Sequence, residues 1–295
     1  MKCDTSRSDE AQLSRMGEYL AQAILLEVCA APKPGLVTRL GNGSHEDMSI
    51  LTFAMSSPVL IKAFDDLEVL GQNFDDEPEA LFAVAREYGV RTERRLLEVT
   101  QGVNTQRGIL FCGGVLSAAA GYAAARGYAR EALLPLVQRM TAGLVRRELE
   151  NAGERRETAG ERLFQKYRIT GIRGEVERGF PSVREKGLPA LEEAFSRGAN
   201  LNDALLHSLL SLMTVVEDST VLWRTDRTAA REVKEQAKAV LSRGSIFSKE
   251  GRGAISATEA YFMRCRISPG GSADLLSVTI ALYLLRYGTF PVSIV

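Results

Sequence analysis

The sequence has little of most things that announce a chemistry. Its four cysteines, Cys3, Cys29, Cys112 and Cys265, include no close pair, which argues against a zinc ribbon or a disulfide framework and predicts a reducing, cytoplasmic setting. Only two histidines are present, His45 and His207, too few for a histidine-based triad or metal cage. GxxxxGK[ST], HExxH and GxSxG are all absent, so P-loop, zincin and nucleophile-elbow chemistry fall away. Net charge is missing too: 37 Lys plus Arg balance 37 Asp plus Glu. Nothing therefore calls for nucleic acid or an anionic membrane, and any field for an anionic ligand must be local. The opening residues, MKCDTSRSDE, lack the apolar segment of a signal peptide. Strand-like alternation is confined to the terminal FPVSIV, and no fixed-period repeat or low-complexity segment occurs.

What is present is helical periodicity. With 295 residues, 45% of them hydrophobic, the chain can bury a sizeable core, and the spacing predicts an all-α fold in one domain, 1–295. Helices are expected over 10–29, over 47–70 with Pro58 kinking or interrupting it, and over 78–99 with Pro78 opening it. Others are expected over 129–149, 184–197, 201–217 and 227–243, the last stopped by Gly244. Residues 109–125 carry no charge and approach the length of a membrane span. Their Ala- and Gly-rich content, flanked by arginines, reads instead as a helix buried on all faces at the centre of a bundle. The one weak boundary lies near 150–170, where NAGERRETAGERLFQKYR reads as a solvated helical excursion or as a flap.

The chain is organised around residues 32–48, PKPGLVTRLGNGSHEDM. Prolines and glycines make it a loop between helices, and Ser44 followed by Glu46 and Asp47 reads as a helix cap with acids in the first turn. Lys33 and Arg39 add positive charge, while His45 and Asp47 could hold a proton or a cation, a mixture suited to a metal-bound phosphate. An ordinary capped loop would look the same. His207, inside LLHSLLSLM, reads as an interior residue. Three more junctions, at 101–108, 171–175 and 269–274, repeat the mixture of glycine, helix terminus and polar side chains. The last is expected to cap at Ser272 and enter an apolar helix. If these junctions meet, they make a pocket lined by amides, Lys33, Arg107 and Arg173. The carboxylates of Asp47, Glu175, Asp218 and Asp274 would share it, and their repulsion would be offset by Mg²⁺. If they do not meet, they are four unrelated helix caps.

PKPGLVTRLGNGSHEDM, TQGVNTQRG, GIRGEVERGFPSV and SPGGSADLLSVT, in this order, resemble the triphosphoribosyl-dephospho-CoA synthase family, which serves citrate lyase and malonate decarboxylase. The resemblance runs from about residue 27 to 285 and agrees with a helical fold. It implies transfer of the triphosphoribosyl group of ATP to the 2′-hydroxyl of 3′-dephospho-CoA with release of adenine. The product would pass to an acyl carrier protein phosphoribosyl-dephospho-CoA transferase. With the motifs matched position by position, the expected catalytic residues are Asp47, Glu175 and Asp274, and these three with Asp218 are the expected Mg²⁺ ligands. Lys33, Gly35, His45, Asn104, Thr105, Arg107, Arg173, Gly270, Gly271 and Ser272 are expected to hold ATP. Glu93 takes the place of an acid the family tends to carry before its second motif. The chain departs from the family where Gln106 and Arg107 replace His and Lys, and where Arg224, Thr225 and Asp226 replace an RGG. Gln106 cannot titrate, so a histidine base at that position is excluded. An apolar face on the terminal helix suits a homodimer.

Overall fold

The computed structural model describes residues 4–151 and 158–293, and these fold as α-helices with short 3-10 and π turns and no strand. The expected 10–29 helix is two helices, α1 (Asp4–Leu13) and α2 (Met16–Cys29). The chain breaks because the Ser14 hydroxyl turns back onto the Glu10 carbonyl, while Glu68 caps the next helix by accepting the Gly17 amide at 2.6 Å. The following helix, α3 (Ile50–Gln72), begins later than expected. Ser49, whose amide donates to Thr52 Oγ1, is its N-cap, and Ser44 instead donates to the carbonyls of Phe262 and Ile267. Pro58 lies inside α3 without ending it.

Next, α4 (Pro78–Val99) and α5 (Arg107–Ala125) form as the sequence implies. The expected 129–149 helix survives only as α6 (Leu133–Met140), because Gly143 takes a φ of +75° and a π turn follows. Charged residues continue into α7 (Ala159–Tyr167), whose Thr158 and Glu161 form a capping box. Residues 152–157 of that charged segment lie outside the described residues, as do Cys3 and the end of FPVSIV, whose residues 290–293 are irregular. The stretch expected as a third loop is a helix, α8 (Gly171–Glu177).

After α9 (Leu188–Ser196) and α10 (Leu201–Met213), Asp218 caps the short α11 (Ser219–Arg224). Asp226 then caps α12 (Arg227–Ser242), and Gly244 at φ +92° ends it. The periodicity gave no sign of α13 (Lys249–Cys265), and α14 (Gly270–Tyr287) starts two residues before Ser272.

The core forms around α5. A Cβ at Gly71 of α3 would lie 2.0 Å from the Ala118 carbonyl oxygen, and one at Gly121 would lie 2.0 Å from that of Glu68. Only glycine lets α3 and α5 approach this closely, so the small-residue content of 109–125 is packing chemistry. This is the one helix among the described residues long and apolar enough to cross a membrane, and its most apolar window is 83% buried. The apolar face of α14 that suggested a dimer is covered within the chain by α2, α5, α9 and α10. One hydrophobic cluster runs from Leu13 to Phe290.

Candidate active site

The four junctions open onto one cleft of about 1010 Å³, at the upper end of what a small-molecule site needs. The organising loop is fastened to its wall. A Cβ at Gly35, whose φ is +74°, would lie 2.1 Å from the Ile267 carbonyl oxygen, so the loop backbone packs directly on the connection before α14. On the other side, Asn202 of α10 accepts the Ala31 amide at 2.9 Å and donates to the Ala31 carbonyl at 2.7 Å.

Three of the four expected acids line the cleft. Asp47 pairs with Arg224 at 3.1 Å. Burial pushes its carboxyl up, but the hydrogen bond and charge of Arg224 outweigh that and hold it below the ordinary carboxylate range. Glu175 accepts the Ser182 hydroxyl at 2.6 Å and the Ser182 amide at 3.1 Å. Asp274 reaches across from the first turn of α14 onto the start of α5. A Cβ at Gly108 would sit 1.9 Å from its Oδ2, and the Ile109 amide donates to it. Burial pushes the Asp274 carboxyl well above its ordinary value, and the neighbouring charges of Glu27 and Asp218 push the same way.

Asp218 corrects the expectation. It is buried beneath the cleft wall rather than on it, with its oxygens occupied by helix caps. Oδ1 accepts from Thr220 and Val221 at the start of α11 and from the Gly271 amide; Oδ2 accepts the Ser272 amide at 2.8 Å and its hydroxyl at 3.0 Å. Burial raises its carboxyl and these donors oppose the rise. The amides of Gly271 and Ser272 are thus already taken, and that of Gly270 donates to the Ser268 carbonyl, so this turn is not an open phosphate cradle.

Lys33 is likewise inside the protein, 1% exposed and ion-paired with Glu27, which itself reaches the cleft. The expected arginines do line it. Arg107 pairs with Glu93 at 2.5 Å, and Arg173 pairs with Glu148 at 2.6 Å, which also holds Arg86. Asn104 and Thr105 line the cleft, as does Gln106, which is nearly fully buried and accepts the Ser56 hydroxyl. His45 contacts Ser268 Oγ at 2.7 Å and leaves a buried Nδ1, 3.5 Å from Asp47, without a hydrogen-bond partner. Burial and Arg224 lower the imidazole below its ordinary value, so it is neutral at pH 7. Where an RGG was expected, Thr225 has negative φ and Asp226 caps α12, so neither position needs glycine.

Among the described residues no group of three or more His, Cys, Asp or Glu side chains is gathered to hold a metal. The four-acid cage expected from sequence is therefore not gathered among the described residues: Asp218 is withdrawn into capping, while Asp47, Glu175 and Asp274 each face a different partner, Arg224, Ser182 and the start of α5. One or two carboxylates beside ligand phosphates is the arrangement these residues fit. Sequence reasoning also missed the Glu27–Lys33 pair and the Arg224 partner of Asp47. The second pair lies 177 positions apart, beyond any local signal.

Comparison with known proteins supplies the remaining context. The model of the family described as ATP:dephospho-CoA triphosphoribosyl transferase matches residues 13–290. A protein of Malonomonas rubra named probable 2-(5''-triphosphoribosyl)-3'-dephosphocoenzyme-A synthase is 41% identical over 284 residues, 95% of this chain and 90% of the relative. The 2-(5''-triphosphoribosyl)-3'-dephosphocoenzyme-A synthase of Klebsiella pneumoniae is 36% identical over 274 residues, 92% of this chain and 91% of the relative. No solved structure matches the chain.

Proposed function

Because this chain belongs to the ATP:dephospho-CoA triphosphoribosyl transferase family, we propose that its cleft joins the triphosphoribosyl group of ATP to the 2′-hydroxyl of 3′-dephospho-CoA. The C1′–N9 bond of ATP breaks with its electron pair going to adenine. The acceptor oxygen bonds C1′, the hydroxyl loses one proton and adenine gains one, and the two protein groups that give and take these protons return to their starting states by exchange with water. The observation that carries this reading is that Asp47, the α8 pair Arg173 and Glu175, and Asp274, from three distant segments, line one cleft of about 1010 Å³.

The two aspartates have carboxyls pushed in opposite directions, which is how one site separates an acid from a fixed charge. In this reading Asp274, held protonated, hands a proton to the departing adenine. Asp47, held ionised, faces the positive charge that develops at C1′, and Glu175 receives the proton of the acceptor hydroxyl. Arg107 and Arg173 hold the triphosphate by exchanging their carboxylate partners for phosphate oxygens, with Asn104 and Thr105 at the same opening. ATP enters as its magnesium complex, with Asp47 and Glu175 the protein carboxylates available to the metal. The product is the precursor of a prosthetic group, passed in the cytoplasm to an enzyme that loads an acyl carrier protein.

Incubation with Mg·ATP and dephospho-CoA tests this, reading free adenine by chromatography and the product by mass. Adenine in equal amount to a triphosphoribosyl adduct of dephospho-CoA is the expected result. Adenine formed only with another alcohol, or ATP bound without adenine release, overturns the assignment of acceptor or of turnover respectively.

A further inference from the structure

The chain has a single tryptophan, and it is not in the core. Trp223 stands on the cleft wall with 52% of its surface exposed. An indole left this open on the outside of a protein would need no explanation, but this one lines a polar cleft. Its backbone is held from both ends of α11. At the start, Asp218 ties the helix to α14; at the end, Arg224 pairs with Asp47 and the Thr225 hydroxyl donates to the Val221 carbonyl at 2.6 Å. The ring is therefore carried on a fixed platform, one residue before the arginine that pairs with Asp47. Across from it, the Arg162 guanidinium of α7 lies 6.0 Å from the ring centroid. A half-exposed indole with a cation over one face, on the wall of a cleft that Asp47 and His45 also line, offers its other face for stacking on a nucleobase.

We infer that Trp223 is the stacking platform for a purine ring in this cleft. The inference rests on the reading of the cleft as a nucleotide site and deepens it by naming the base-holding residue. Both proposed substrates carry adenine, so the shared chemistry is the purine, and the experiment separates its two sources.

Because Trp223 is the only tryptophan, its emission reports this position alone. The protein is titrated separately with Mg·ATP, with dephospho-CoA, with Mg·CTP and with tripolyphosphate, exciting at the red edge of the indole band where adenine does not absorb. Saturable quenching by ATP identifies the donor base, and by dephospho-CoA the acceptor base; either supports the inference. No quenching by either adenine compound, or equal quenching by CTP, overturns it. In steady-state assays Trp223→Ala should raise the KM for the quenching nucleotide by about 10-fold or more with kcat little changed, and Trp223→Phe should restore most of the affinity. An unchanged KM for both nucleotides in Trp223→Ala also overturns it. The binding readout does not depend on turnover, so quenching by ATP without adenine release would sustain this inference while defeating the reaction proposed above.

Discussion

Asp218 and Asp274 sit 56 positions apart, both carry raised carboxyls, and each touches the start of a helix, yet they have opposite fates. Asp218 is met by four amides and a hydroxyl and joins the first turns of α11 and α14. Asp274 has the Ile109 amide, lies against Gly108 without room for a side chain between, and keeps an edge on the cleft. A buried carboxylate with a full set of donors stabilises structure as an anion. One with few donors, among other acids, favours its proton and is available for transfer. For the proposed reaction, hydrogen-bond count would thus separate scaffold from chemistry where residue type does not.

The largest expected effect is on Asp274. Asp274→Asn keeps the shape and removes the transferable proton, so adenine release should fall by about 10²–10⁴-fold with the melting temperature unchanged or raised. Asp218→Ala should do the reverse in kind, costing about 3–5 kcal/mol of stability in chemical denaturation because five donors lose a buried partner. If Asp218→Ala folds with normal stability and loses only activity, the distinction fails.

Glu68 extends the comparison to a sparsely bonded acid that does not line this cleft. Burial pushes its carboxyl up to about 7, and the Gly17 amide donates to it. Between the ordinary value near 4.5 and about 7 the folded protein holds a proton that the unfolded chain has released, so stability should fall as pH rises through this window. Glu68→Gln should flatten that dependence, gaining up to about 3 kcal/mol at pH 8 relative to the parent, without altering turnover. Denaturant titrations at pH 5 and pH 8 read this directly.

The smallest effect concerns Arg224→Ala. The pair with Asp47 is half-exposed, so stability should change by less than about 1 kcal/mol. Removal of the arginine lets the Asp47 carboxyl rise, so the acid limb of the pH–rate profile should move to higher pH. An unmoved limb would show that Asp47 is not the ionised group the reaction needs.

Helical class, the course of α4 and α5 and the set of junctions were legible because their signals are local: Pro78 at a first turn, an uncharged run, glycine beside acid. Helix α13 was not, since KEGRGAISATEAYFMRC buries few apolar side chains and gives no clear stripe. Nor was α8, seven residues long with a glycine at its start. Within the site, the choice made at the outset between a shared pocket and separate caps dissolves. Asp218 and Asp274 each bond amides at a helix start, while Asp274 also joins Asp47, Arg173 and Glu175 on the cleft. What sequence could not convey was saturation: the donors that occupy Asp218 and the acid that buries Lys33 are set by tertiary packing.

The most direct measurement is single-turnover adenine release by Asp274→Asn under conditions where Trp223 emission shows Mg·ATP bound as tightly as in the parent. The account predicts intact binding with release slowed at least about 100-fold at neutral pH. Release at the parental rate from the same bound state would contradict it.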